Sequence, residues 1–205
     1  MCGRFTIDIP PSLLSSIFGL SEPPATTPRY NVAPTQQVPV IRQYADGDNH
    51  LDYLRWGLIP SWFKEMSTSS PMINARSETV SEKPAFRQSI RYRRCVVPSS
   101  GFYEWKQEGK TKQPWYIRLK DGSPMMFAGL WDSWKSPQGV VDSFTILTTA
   151  PNSLIGSLHD RMPAYCAQMT AGCGCTVRRR IRRLWRICSN RTRQISWKCG
   201  RCRRW

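Results

Sequence analysis

The chain has 205 residues, 40% of them hydrophobic and 11% aromatic, which suits one ordinary domain with its own core, falls short of two, and excludes global disorder. Its formal net charge of +16 suggests a polyanionic partner. However, residues 1–163 hold 18 Lys and Arg against 14 Asp and Glu, whereas residues 164–205 hold 12 basic residues and no acid, so the charge describes the tail rather than the domain.

The opening Cys2-Gly3-Arg4-Phe5-Thr6-Ile7 predicts a short strand ended by Pro10-Pro11. Leu13, Leu14, Ile17 and Phe18 then recur at near-helical spacing, with Gly19 at the stop position. A proline-rich loop over 22–28 leads into Tyr30-Asn31-Val32-Ala33-Pro34-Thr35. Strands are expected over 38–44 and 51–58, joined by a polar turn, and Pro60-Ser61-Trp62-Phe63 leaves two aromatics in a loop. After Ile73-Asn74-Ala75-Arg76 comes a helix around 83–90, then a short strand, Cys95-Val96-Val97, ahead of Pro98. Residues 102–105 and 115–119 read as a hairpin, Asp121-Gly122 as a turn, and 125–131 and 143–149 as two more strands. Asn152 caps a short helix over 153–158 that delivers His159. Rich in strands and without βαβ alternation, residues 1–163 predict a single α+β domain with a curved, barrel-like, mainly antiparallel sheet and a few short helices.

Several residues stand out chemically. Removal of Met1 would leave Cys2 with an α-amine and a thiol on one residue, both titrating near neutrality. Such a 1,2-aminothiol captures an aldehyde as a Schiff base, and the sulfur then closes a thiazolidine. The blander reading makes Cys2 a small apolar residue at a strand start. His159, one of two histidines, sits between a short helix and Asp160-Arg161, where a loop proton carrier is expected. Glu104 lies in an aromatic strand; facing outward it is a solvated charge, facing inward it gains a raised pKa suited to acid–base work. Asn74 and Arg76 offer an amide and a guanidinium for a sugar or phosphate; the plainer alternative is a turn and a surface charge. Arg4, Arg76 and Arg161 with Trp62 and Phe63 make the basic–aromatic mixture that tracks a single strand and stacks on its bases.

Together these segments resemble the SRAP family, the abasic-site processing proteins also described as SOS-response-associated peptidases. The resemblance rests on Cys2-Gly3-Arg4-Phe5, Arg29-Tyr30-Asn31-Val32-Ala33-Pro34, Arg55-Trp56-Gly57-Leu58-Ile59-Pro60, Ile73-Asn74-Ala75-Arg76-Ser77-Glu78, Gly101-Phe102-Tyr103-Glu104-Trp105 and His159-Asp160-Arg161-Met162-Pro163, in that order. It implies a covalent thiazolidine crosslink between Cys2 and an abasic site in single-stranded DNA after autocatalytic or aminopeptidase removal of Met1, with an associated lyase activity. It also implies catalytic roles for Cys2, Asn74, Glu104 and His159, and DNA contacts by Arg4, Asn31, Pro34, Trp62, Phe63, Arg76 and Arg161. No cofactor and no metal are expected, because the cysteines and histidines of residues 1–163 lack zinc spacing. The expected partner is single-stranded DNA containing abasic sites, met by a monomer in the cytoplasm near the nucleoid, with partners at the replication fork left open. A non-covalent reader of single-stranded or modified DNA is the alternative.

Cysteine divides as charge does: Cys2 and Cys95 lie in the body, and Cys166, Cys173, Cys175, Cys188, Cys199 and Cys202 in the tail. No leader-like start and no apolar run near the roughly 18 residues of a membrane span is present, so a reducing interior without a disulfide framework or membrane is expected. Residues 164–205 depart from the family's pattern. Their abrupt turn to Arg and Cys reads as out-of-frame translation, against the rival of a basic DNA-binding extension. Loss of the family's last strands is expected to leave a sheet edge unpaired.

Overall fold

The computed structural model describes residues 2–45, 47–65, 71–166 and 197–201. Met1 and most of the tail, including Cys173, Cys175, Cys188 and Cys202, therefore lie outside the described residues.

Five strands close a barrel: β3 (Gln37–Gln43), β4 (Asn49–Trp56), β6 (Arg94–Ser99), β9 (Met125–Ser136) and β10 (Gly139–Thr149). Their order is β10-β4-β3-β6-β9, and β9 pairs back onto β10 from Ser136↔Gly139 to Gly129↔Ile146. Closure removes the unpaired edges an open sheet would expose. All neighbours are antiparallel except β4 with β10. A short strand, β5 (Asn74–Arg76), also lies parallel to β10, so the bland alternative of a turn at this segment is replaced by extended chain. Strand β6 runs through Pro98, where the sequence predicts a stop. It pairs with β3 only at Val96 and Cys95, so at Pro98 the missing N–H interrupts no ladder on that side.

A second sheet covers the barrel. It runs β13 (Trp197–Arg201), β8 (Thr111–Leu119), β7 (Gly101–Glu108), β1 (Arg4–Ile7) and β2 (Arg29–Val32). Residues 197–201 line β8 from Trp197↔Leu119 to Arg201↔Trp115, so β8 is not itself an edge and the sheet ends on β13 and β2. The inner faces of sheet and barrel meet through aromatic edges. Phe5 packs edge-on to Trp56 at 5.0 Å and to Phe127 at 5.9 Å, and Phe102 meets Phe127 at 6.0 Å. All four are fully buried, each contributing about 1.5–3 kcal/mol by removal from water.

Helix α1 (Pro11–Phe18) begins with Pro11 in its first turn and ends at Gly19, whose φ of 63° gives the left-handed cap. Helix α2 (Pro84–Tyr92) also starts on a proline. Helix α3 (Ser153–Gly156) is capped by Asn152, whose side chain accepts from the Ile155 amide at 2.9 Å. Two short strands follow, β11 (Met162–Pro163) on β10 and β12 (Tyr165–Cys166) on β9. No helix among the described residues is long and apolar enough to cross a membrane.

Candidate active site around Cys2

Cys2 lies two residues before the start of β1, in the same core cluster as Phe5, and its side chain is wholly buried. Asn74, at the start of β5, donates from Nδ2 to the Cys2 carbonyl oxygen at 2.9 Å. The Asn74 Oδ1 is buried and accepts no hydrogen bond. Glu104 shares the inner face of β7 with Phe102, by strand alternation, and only 2% of it is exposed. The inward alternative for Glu104 is therefore the observed one.

Electrostatics link these groups. Burial pushes the Cys2 thiol far up, and the Glu104 charge adds to it. Burial likewise raises the Glu104 carboxyl, while electrostatic coupling to the amino terminus and to His159 pulls it back. The thiol is thus neutral until a base takes its proton, and a carboxyl able to exchange protons stands beside it. A hydrogen bond thus links Asn74 of β5 to Cys2, and charge coupling links Cys2 to Glu104 of β7 and Glu104 to His159 in the loop after α3.

His159 is fixed by its own loop. Its backbone N–H donates to Ile155 O at 2.8 Å, and its Nδ1 receives the Arg161 backbone N–H at 3.0 Å. Asp160 Oδ1 lies 2.7 Å from the same nitrogen. The Arg161 guanidinium grips both oxygens of Glu78, at 3.0 and 2.8 Å, and donates to Thr148 O at 2.6 Å. That grip holds the Glu78 carboxyl below its ordinary range.

The remaining expected residues are more dispersed. Arg4 Nε donates to Asn31 Oδ1 at 3.1 Å, so these two act as a pair across β1 and β2. Pro34 leads into Thr35, whose φ of 70° is unusual for a β-branched residue. Arg55, donating to Thr35 O at 2.8 Å, and Trp56 O, accepting its N–H at 2.7 Å, hold that conformation. Arg76 is exposed at the end of β5. Trp62 is 61% exposed and edge-on to Phe63 at 4.7 Å. Their loop is anchored to β9, where Ser61 N donates to Asp132 and Trp134 Nε1 donates to Phe63 O.

A profile of the SOS response associated peptidase (SRAP) family matches residues 1–171. The chain belongs to this family. It is 45% identical over 169 residues to the abasic site processing protein YoqW of Bacillus subtilis, covering 80% of this chain and 75% of the relative. It is 36% identical over 167 residues to the abasic site processing protein HMCES of Xenopus tropicalis, covering 67% of this chain and 50% of that protein. Among solved structures, a Bacteroides thetaiotaomicron protein superposes with a TM-score of 0.76 at 26% identity, over 98% of this chain and 92% of the other. The SRAP match extends eight residues past the expected boundary at 163 and takes in β12, the strand that covers β9.

Two contributors escaped the sequence reading. Glu78 stands two residues past Arg76, but its partner is 83 residues away and no local pattern announces it. Trp56, donating from Nε1 to Ile73 O at 3.0 Å, steadies the residue before Asn74; its place in an apolar run marks it only as core.

Proposed function

We propose that this protein processes abasic sites in single-stranded DNA by covalent capture through Cys2. The observation that carries the reading is the arrangement around residue 2: a carbonyl held by Asn74 and a buried thiol next to an equally buried carboxyl. Hydrolysis of the Met1–Cys2 bond, by the same site or by an aminopeptidase, frees the Cys2 amine. That amine adds to the C1′ aldehyde of the ring-opened sugar, and the resulting carbinolamine loses water to form a Schiff base. The thiol sulfur then bonds to C1′, its proton passes to a base, and the nitrogen regains a proton as the thiazolidine closes.

In this scheme Glu104 delivers a proton to the departing hydroxyl and accepts the thiol proton, work that suits a carboxyl raised by burial. Asn74 positions the amine, its unpaired Oδ1 being an acceptor for an N–H. His159 acts on the sugar ring oxygen or the 3′ side, aiding opening of the sugar and reversal of the adduct. The Schiff base also acidifies C2′, which provides a route to β-elimination and hence lyase activity. Arg4 with Asn31, Pro34 and Arg76 line the strand's path, and Trp62 and Phe63 stack beside the lesion. Arg161 joins the phosphate contacts with its Glu78 pair kept.

The test is incubation with an oligonucleotide carrying one abasic site, followed by denaturing electrophoresis. A slower band that is absent with Cys2→Ala supports the proposal. Reversible binding with no such band in the wild type replaces covalent capture by the non-covalent reader.

A further inference from the structure

Two segments that carry site residues are tied together by one ion pair. Glu78 follows β5, the strand that holds Asn74, and Arg161 precedes β11 in the loop that holds His159. Between them lies Thr148 of β10, whose register partners are Arg76 of β5 and Pro163 of β11. The Thr148 carbonyl accepts from both the Ser77 amide at 2.9 Å and the Arg161 guanidinium at 2.6 Å. With both Glu78 oxygens engaged, the position of residue 161 is over-determined, and with it the direction of the Arg161 backbone N–H.

That N–H meets His159 Nδ1, and so does the Asp160 carboxylate. The two make opposite demands: the amide needs a lone pair on Nδ1, the carboxylate needs a proton there. Asp160 is 78% exposed on its side chain and can satisfy its oxygens with water. The amide has no such freedom while Glu78 and β11 hold the loop. In the neutral ring the amide therefore prevails, and the proton resides on Nε2.

We propose that Glu78 is a positioning residue: acting through Arg161, it holds neutral His159 in the Nε2–H form, so that the ring enters the reaction as a hydrogen-bond donor and acid. The significance of this for catalysis rests on the abasic-site reading above; the proton's location does not.

The experiment is nitrogen NMR of the two imidazoles in the full-length protein, with His159 assigned by comparison with His159→Gln, for wild type, Glu78→Gln and Glu78→Ala. In the wild type with its ring neutral, Nδ1 of His159 is expected at the shift of an unprotonated nitrogen and Nε2 at that of a protonated one. In both Glu78 variants, shown to be folded by circular dichroism, the two shifts move toward each other as the forms mix. Crosslinking to abasic DNA slows roughly tenfold in Glu78→Gln, part of the ~10²–10⁴ that a placed acid supplies. A wild-type Nδ1–H ring overturns the proposal. So do wild-type shifts in both folded variants. Correct shifts without any wild-type crosslink would leave the positioning role standing and remove the functional reading instead.

Discussion

The carbonyl oxygen of Cys2 and the side-chain amide of Asn74 are joined by a 2.9 Å hydrogen bond that spans 72 residues of chain. It binds the segment before β1 to a strand of the barrel's flank, and it fixes which way the residue's nitrogen and sulfur point.

Asn74→Ala removes this bond while keeping the β5 backbone pairings. A loss of about 1 kcal/mol in stability is expected, as for a partly buried hydrogen bond. Crosslinking should fall much further, on the order of 100-fold, because misplacement by about 1 Å is enough to do so. Chemical denaturation beside a timed crosslinking gel measures both, and equal rates in the two proteins would refute the positioning role.

Glu104 makes a pH prediction. A carboxyl raised on folding binds more protons in the native than in the unfolded state between its two pKa values, so stability drops as pH rises through that window. Glu104→Gln, which cannot ionise, escapes the penalty. The variant should match the wild type near about pH 4 and exceed it near about pH 8, while losing crosslinking. Urea titrations at both values check the sign; a variant less stable at the higher pH contradicts it.

Gly129 faces β6 inside the barrel wall. A Cβ there would lie 2.8 Å from Cys95 Sγ and 3.2 Å from the Thr145 carbonyl oxygen. Gly129→Ala should therefore destabilise the barrel by roughly 1–3 kcal/mol through overpacking. Gly129→Ala combined with Cys95→Ala should recover part of the loss, read as the thermal midpoint.

Arg4 and Arg76 set a salt dependence. Each phosphate contact removed should lower the slope of log K against log salt by about 0.7 for a single strand. Arg4→Ala and Arg76→Ala should thus both bind abasic-site-free oligonucleotides more weakly and with flatter salt plots. Unchanged slopes would place the phosphate path elsewhere.

Most element positions follow from local patterning, because the 38–44 and 51–58 alternations, the 102–119 hairpin and the caps at Gly19 and Asn152 are short-range signals, whereas the strand order, with its parallel β4–β10 pair, is set by long-range pairing. Five strands are not legible. Arg29–Val32 is half polar and follows a proline-rich loop, Asn74–Arg76 has three residues, Met162–Pro163 and Tyr165–Cys166 have two each, and residues 197–201 pair with β8 from far along the chain. The site was legible as odd residues: a Cys at position 2, an acid among aromatics, a histidine after a capped turn. What the sequence could not express was orientation. Glu104 turns inward because it alternates with Phe102, and Glu78 matters because of an arginine on another strand's flank.

The complete burial of Cys2 also bears on timing. In a newly translated chain its nitrogen is acylated by Met1, and its sulfur is protonated and shut off from water. On the proposed reading, stray metabolic carbonyls meet no free amine until Met1 is removed. Maturation, rather than abundance, would then govern how many molecules are armed, and untrimmed copies would form a dormant reserve safe from premature quenching.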